Sequence, residues 1–132
     1  MTTEREVIRT DPKLDLGTVV GAPASPAVKA NGFIFTTGYL SIDPETGQPD
    51  HGTIEHETRR TLENLKLVLE AADSGLDRVV KTHIFLQDID RDFDAMNGVY
   101  GEFFTSDYPA RRTVEAKLIQ NYKVEIEVIA LA

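Results

Sequence analysis

The last quarter of the chain most constrains its fold, because two β-rich runs there carry charges among their apolar residues. The runs are residues 108–116, YPARRTVEA, and residues 124–130, VEIEVIA. Successive side chains of a strand point to opposite faces of a sheet, so such alternation is typical of strands. A charge on a covered strand is costly unless it has a partner. The arginine and the glutamates of these runs therefore predict either ion pairs or a site for a small anion.

Arg111 has two open interpretations. Period two divides the first run into two faces, with Arg111, Thr113 and Glu115 on one and Arg112, Val114 and Ala116 on the other. In the first interpretation, Arg111 pairs with Glu125 or Glu127 as part of an interface. In the second, its planar guanidinium binds the carboxylate of a small ligand with two parallel hydrogen bonds.

Glu125 and Glu127 lie two residues apart and therefore share a face of the last strand. The simpler interpretation is that one of them pairs with Arg111 while the other faces solvent. Alternatively, one of them positions a water molecule. A partly buried carboxylate beside a second acid has a raised pKa, which suits it to proton transfer near neutral pH. The pattern does not distinguish the two glutamates.

The remaining pattern predicts a single α+β domain over residues 1–132. Pro12, Gly17, Gly21, Pro23 and Pro26 predict an irregular segment over residues 11–26. Asn31-Gly32 predicts a hairpin turn, residues 43–47 predict a further turn, and Gly75 is the expected C-cap of the first long helix. Strands are expected at 4–9, 27–30, 33–40, 79–86, 111–119 and 122–131, and helices from about Thr53 to Asp73 and from Asp90 or Asp92 to Phe104.

The second face of the predicted sheet implies an oligomer. Two helices cover only one face of a sheet, so the other face of a monomer should be polar. Instead, Ile129 and Leu131 share their face with the two glutamates, and the strand 33–40 is apolar on both sides. We therefore expect another copy of the chain to cover this face and to leave clefts between subunits.

Composition excludes several classes of function. The 22 acidic residues outnumber the 14 basic ones, and a net charge of −8 disfavours nucleic acid as a partner. The absence of cysteine excludes a disulfide framework and a thiol nucleophile, and the three dispersed histidines predict no metal site. No Gly-rich phosphate loop or Gly-x-Ser-x-Gly motif occurs. The polar N-terminus and the lack of a long apolar segment predict a cytoplasmic protein with no membrane partner.

Short segments spread along nearly the whole chain resemble one known family. They are Ser25–Ala30, Phe35–Gly38, Asp43–Gly47, Thr61–Leu65, Val79–Lys81, Asp92–Phe93 with Asn97 and Tyr100, Phe103–Phe104, Pro109–Arg111 and Val124–Glu127. Singly these segments are weak signals, but together and in this order they are specific. They resemble the RidA/YjgF group of reactive-intermediate deaminases, also described as the L-PSP endoribonuclease family.

The resemblance implies a chorismate-mutase-like α+β fold, with a mixed six-stranded sheet, two helices on one face and a trimeric barrel assembly. It also implies a hydrolase that needs no cofactor and converts enamine or imine acids, such as 2-aminoacrylate, 2-iminopropanoate and 2-iminobutanoate, to 2-oxo acids and ammonia. In this sequence, Arg111 matches the carboxylate-binding arginine and Glu125 the water-positioning acid. The substrate-binding set implied is Arg111, Thr37, Gly38, Asn97, Thr113, Ser25 and Tyr39.

The sequence departs from the family pattern at three places, which indicates a different or wider substrate preference. Ala24 stands at the position of a cleft tyrosine, Tyr39 follows Gly38 in place of glutamine, and Thr113 replaces a cysteine. Two alternatives to the deaminase follow. One is a non-catalytic, regulatory binder of 2-oxo or amino carboxylic acids that is also trimeric. The other is an endoribonuclease or translation inhibitor, which the acidic charge disfavours.

Overall fold

A mixed six-stranded sheet organises the chain, and the computed structural model describes residues 4–132. The strands are β1 (Arg5–Ile8), β2 (Ala27–Ala30), β3 (Phe33–Thr36), β4 (Val79–Leu86), β5 (Ala110–Glu115) and β6 (Val124–Leu131). The α-helices are α1 (Leu16–Val20), α2 (Ile54–Ala71) and α3 (Ile89–Phe103). The strand order is β1-β2-β3-β6-β4-β5, and only the β4–β5 pair is parallel. The predicted α+β class is confirmed.

The hairpin between β2 and β3 forms as the Asn31-Gly32 pair predicts. Both residues have positive φ, 52° and 85°, as a type I′ turn requires, and Ala30 faces Phe33 across the turn. However, β3 is shorter than the predicted strand 33–40. It ends at Thr36 because the chain then leaves the ladder. It rejoins β6 only through an isolated bridge between Tyr39 and Ile126.

One helix end agrees with the predicted one and two differ. Thr53 is the N-cap of α2 and accepts a hydrogen bond from the His56 N–H. At the other end, Asp73 (φ 60°) and not Gly75 adopts the left-handed conformation that follows the helix. Asp88, two residues before Asp90 and four before Asp92, caps α3 by accepting a hydrogen bond from the Arg91 N–H. Two aspartates therefore occupy positions that the pattern assigned to other residues: Asp73 after the end of α2 and Asp88 at the start of α3.

The segment 11–26 contains a five-residue helix, α1, where irregular structure was expected. Asp15 caps its start by accepting from the Thr18 N–H, and Gly21 (φ 73°) ends it in the left-handed conformation. A helix this short has too few residues to produce a periodic apolar pattern, so the prolines and glycines around it dominate the sequence signal.

The two faces of the sheet differ as the alternation in β6 predicts. Val124, Ile126, Val128 and Ala130 are buried, and α2 packs against β6 on this side. On the other side, which we call the open face, the outward residues of the central strands are Phe33, Phe35, His83, Phe85, Glu125, Glu127, Ile129 and Leu131. Large apolar side chains remain exposed on it, with Phe35 at 43% and Leu131 at 39%. The open face is the surface that we expect a second copy to cover.

Candidate functional site

Arg111 lies on the edge strand β5, and its guanidinium packs against the rings of Phe93 and Tyr100. Its guanidinium carbon lies 4.9 Å from the ring centre of Tyr100 and 5.7 Å from that of Phe93, both on α3. These are distances at which a cation and an aromatic face attract each other. The Tyr100 hydroxyl is in turn hydrogen-bonded to the Thr82 hydroxyl of β4 at 2.9 Å. The two rings therefore position the guanidinium, and the hydrogen bond to the buried Thr82 holds the Tyr100 ring in place.

No carboxylate within residues 4–132 lies within ion-pair distance of the Arg111 guanidinium, although the side chain is only half-buried. By contrast, Arg59, Arg60 and Arg91 each contact an acid. A guanidinium that is positioned by aromatic rings and has no carboxylate partner among residues 4–132 is suited to bind one from outside.

A groove of about 370 Å³ adjoins Arg111, and its walls are Asn97, Tyr100, Gly101, Tyr108, Pro109 and Arg111. The side-chain oxygen of Asn97 is buried and has no hydrogen-bond partner within the described chain. The hydroxyl of Thr113, on the same face of β5 as Arg111, is also buried and has no hydrogen-bond partner among residues 4–132. Buried polar atoms without partners are rare in folded proteins. Two of them around one arginine indicate that a ligand or a second chain completes this region.

Glu125 lies on the open face, on the strand β6. Burial, and secondly repulsion by Glu127, raise the pKa of its carboxyl above the ordinary value. Glu127 itself pairs with His83, whose Nδ1 lies 3.2 Å from its carboxylate. A half-buried acid with a raised pKa and no ion-pair partner within residues 4–132 is suited to accept a proton near neutral pH.

Arg111 and Glu125 lie on opposite faces of the sheet. Arg111 is in register with Thr82, which is fully buried on the helix side, whereas Glu125 is in register with Phe85 on the open face. Arg111 therefore pairs with neither Glu125 nor Glu127 of its own chain, and the predicted pairing across an interface between copies stays a prediction. Within one chain, the predicted catalytic residues form two separate halves.

The other predicted site residues divide between these halves. Asn97 and Thr113 belong with Arg111, whereas Gly38 packs against the Glu125 side chain and Thr37 precedes it. Ser25 is close to Thr37, because the Thr37 N–H donates to the carbonyl of the next residue, Pro26. Each half thus brings together residues that are far apart in sequence.

Tyr39 does not reach either half of the site. It is fully buried, and its hydroxyl donates a 2.8 Å hydrogen bond to the Leu14 carbonyl. Burial raises the pKa of this hydroxyl well above its usual range. The structure therefore makes Tyr39 a core residue and corrects its place in the predicted substrate-binding set.

Sequence reasoning missed several residues that shape the site. Phe93 and Tyr100 lie seven residues apart on α3, an apolar spacing that is typical of core packing and serves equally for a pair of rings against a cation. Gly101 and Tyr108 line the groove but belong to no apolar periodicity. For Tyr108 the only signal was its position beside Pro109 and Arg111.

Replacing Gly38 with alanine is expected to abolish most activity without unfolding the protein. An added Cβ would lie 2.5 Å from the Glu125 Oε2 and 2.9 Å from its carboxyl carbon, so the carboxylate must move. Glu125 is predicted to be a catalytic group, and displacing such a group by about 1 Å costs roughly a hundredfold in rate. The check is kcat/KM together with the thermal unfolding midpoint.

The control for this variant is Gly98→Ala, because a Cβ at Gly98 meets no atom within 4 Å. Full activity of Gly38→Ala, with Glu125 in its original position, would contradict the role of this glycine.

Comparison with known proteins identifies the family. Residues 19–132 match the family model described as Endoribonuclease L-PSP. The chain belongs to the RidA/YjgF family. Among its relatives, RutC family protein PH0854 of Pyrococcus horikoshii is 45% identical over 109 residues, which are 82% of this chain and 86% of that protein.

Two further members of the RidA/YjgF family carry functional information in their names. Reactive Intermediate Deaminase A, chloroplastic, of Arabidopsis thaliana is 40% identical over 82% of this chain and 58% of its own length. The crystal structure of E. coli TdcF with bound serine matches with a TM-score of 0.84 and 30% identity, and it covers 96% of this chain and 98% of that one.

Across residues 4–132 no helix has the length and apolar character needed to cross a membrane. The name of the Arabidopsis relative places that protein in the chloroplast. Family membership therefore does not by itself assign a member to the cytoplasm, and the predicted cytoplasmic location remains a prediction.

Proposed function

We propose that the protein hydrolyses 2-imino acids and their enamine tautomers, of the 2-aminoacrylate and 2-iminobutanoate type, to 2-oxo acids and ammonia. The observation that carries the proposal is Arg111, whose guanidinium packs against two aromatic rings, borders a groove and has no carboxylate partner in the described part of the chain. The relatives support it, since one is named a reactive intermediate deaminase and another binds serine, an amino acid.

In the proposed mechanism, Arg111 binds the substrate carboxylate, and the enamine takes up a proton at carbon and releases one from nitrogen to become the imine. Glu125 accepts a proton from a water molecule, whose oxygen attacks the C=N carbon while the nitrogen is protonated. The resulting carbinolamine loses ammonia as its hydroxyl proton leaves, so one imine and one water give one 2-oxo acid and one ammonia. Such imines also hydrolyse unaided, so positioning and one base, worth roughly 10² to 10⁴ in rate, are sufficient. The mechanism requires no cofactor.

The proposed site is completed by a second copy of the chain. Arg111 and Glu125 lie on opposite faces of one sheet, so a single chain does not present both to one substrate. The open face exposes large apolar side chains that a second copy would cover, and identical chains usually associate with closed symmetry. We therefore assign Arg111, Asn97 and Thr113 of one chain and Glu125, Gly38, Thr37 and Ser25 of its neighbour to each cleft of the assembly, which the family resemblance implies is a homotrimer.

The direct test generates 2-aminoacrylate and 2-iminobutanoate in place with an amino-acid dehydratase and measures 2-oxo acid release in competition with semicarbazide. Wild type should accelerate release, and Arg111→Ala should not. Arg59→Ala is the matched control, because Arg59 is an exposed arginine paired with Glu102 on the helix surface. If wild type gives no acceleration and 2-oxobutanoate nevertheless raises its unfolding temperature, the protein is a binder instead of an enzyme.

The pH profile of kcat/KM should reveal the raised pKa of Glu125. A base works only when deprotonated, so activity should fall as the pH drops through a pKa that lies above 4.5, the ordinary value for a glutamate. Replacing Glu127 by glutamine removes a repelling charge, which should move this acid limb to lower pH. The measurement is the enzymatic rate at each pH after subtraction of the spontaneous rate. An acid limb that does not move in Glu127→Gln would contradict the assignment.

A further inference from the structure

Three ionisable side chains, His83, Glu125 and Glu127, form one cluster on the open face. His83 of β4 and Glu127 of β6 are direct partners in the register of the two strands, and Phe85 is the partner of Glu125. The His83 Nδ1 lies 3.2 Å from a carboxylate oxygen of Glu127. The His83 ring stacks on Phe85 with 4.4 Å between the ring centres. The sheet itself therefore holds the imidazole beside Glu127 and diagonal to Glu125.

His83 is able to offset the repulsion between the two glutamates. Residues two apart on a strand are separated by about 7 Å, and a charge at that distance changes the proton affinity of a carboxylate. Repulsion by Glu127 contributes, after burial, to the raised pKa of Glu125. A protonated imidazole in contact with Glu127 places a positive charge beside that negative one and cancels much of its field at Glu125. Histidine ordinarily changes its charge between about pH 5 and 8, where activity that depends on a half-buried carboxylate begins to fall.

We propose that His83 supports the base Glu125 through its charge: once protonated, it compensates Glu127 and keeps Glu125 deprotonated as the pH falls. The inference rests on the proposed function and adds to it a residue that acts on the base without touching the substrate. The protein therefore keeps its activity to lower pH than the two glutamates alone allow.

The other charged groups that face His83 are cations. Lys81 shares the open face with His83 on β4, and Arg112 is the register partner of His83 on β5. Lysine and arginine side chains ordinarily keep their charge well above neutral pH. They add a constant field, whereas protonation of His83 adds a positive charge only as the pH falls.

The charges near Glu125, apart from Glu127, are engaged elsewhere or belong to the neighbouring chain. Lys123 alternates onto the same face of the strand, but its ammonium lies 3.4 Å from Glu57. Gly38, which packs against the Glu125 side chain, carries no charge. In the proposed cleft, the Arg111 of the neighbouring chain is paired with the substrate carboxylate. His83 is therefore the histidine whose protonation acts on Glu125.

The experiment compares kcat/KM for imine hydrolysis from about pH 5 to about pH 8 in wild type, His83→Gln and His83→Lys. Glutamine removes the charge and lysine makes it permanent. Wild type and His83→Gln should agree at the alkaline end, where the imidazole is uncharged. At the acid end His83→Gln should be roughly threefold to tenfold slower, the effect of one unit charge about 7 Å from a carboxylate. His83→Lys should restore the wild-type rate there.

His56→Gln is the matched control. His56 also contacts a carboxylate, that of Asp50 at 2.9 Å, but it lies on α2, on the helix side of the sheet. Its kcat/KM should follow that of wild type across the whole pH range. The unfolding midpoint and the size of the assembly, measured for each variant at both ends of the range, separate a change in charge from a change in structure.

A second readout does not depend on turnover. NMR titration of the Glu125 side-chain carboxyl, identified by its absence in Glu125→Gln, should show a midpoint at higher pH in His83→Gln and not in His83→Lys. A rate ratio of wild type to His83→Gln that stays constant with pH, or a midpoint that does not move, would overturn the inference and leave the proposed function intact. Failure of wild type to accelerate any imine would refute the proposed function, while the NMR titration would still decide whether His83 controls the charge of Glu125.

Discussion

A mixture of two inactive variants, Arg111→Ala and Glu125→Gln, is expected to regain about one quarter of the wild-type activity when their subunits are mixed at random. Each variant alone lacks one of the two residues in every site. If a site takes Arg111 from one chain and Glu125 from its neighbour, a mixed ring contains some sites with both residues intact. The chance that each contributor is the intact one is about one half, which gives about one quarter irrespective of ring size.

The measurement is imine hydrolysis after the two variants are denatured and refolded together, compared with the same variants refolded apart and then combined on ice. Refolding an affinity-tagged copy of one variant with an untagged copy of the other, and recovering both in one assembly after affinity capture, serves as the control for subunit exchange. No recovery in the mixture, with exchange demonstrated by the control, would mean that both residues of a site come from one chain. The opposite-face arrangement of Arg111 and Glu125 in the sheet would then be incompatible with the proposed mechanism.

Local signals predicted most of the fold because they depend on neighbours in sequence. The Asn31-Gly32 turn, the alternation in β6 and the long helix α2 are each specified within a few residues, and the structure confirms all three. Helix ends were less predictable. Several polar residues near each end were chemically able to cap, and packing selected Asp88 and Asp73 from among them.

The arrangement of the site was not predictable from the sequence. Alternation along a strand shows which of its own residues share a face, but it does not show whether that face is on the same side of the sheet as a given face of another strand. Arg111 and Glu125 were each assigned to a face of their own strand correctly, but the register of β5 on β4 and of β6 on β4 places those faces on opposite sides. Tyr39 illustrates the same limit. An aromatic residue after a strand has the same pattern whether its hydroxyl binds a ligand or, as here, the Leu14 carbonyl in the core.

Replacing Glu57 with alanine is expected to lower the free energy of unfolding by roughly 2–4 kcal/mol, the largest stability effect that we predict for one polar residue. Its side chain is fully buried on α2 and accepts hydrogen bonds from two backbone N–H groups, those of Gly52 (3.2 Å) and Lys123 (2.9 Å). The Lys123 ammonium lies 3.4 Å from the same carboxylate. Alanine would leave two backbone donors and a cation without their partner. Thermal unfolding at matched protein concentration should show a midpoint lower by roughly 10 °C.

Glu57→Ala should also lower activity, because it should shift Lys123 and with it the start of β6. Lys123 immediately precedes β6, two residues before Glu125, so Glu57 ties the helix α2 to the start of the strand that carries the proposed base. Glu57→Gln keeps the shape and an acceptor oxygen and should retain more stability than Glu57→Ala. Glu63→Ala, at an exposed position of the same helix, is the control and should change stability little. Equal midpoints for Glu57→Ala and Glu63→Ala would mean that water replaces the carboxylate at no cost, and that β6 is positioned by its ladder alone.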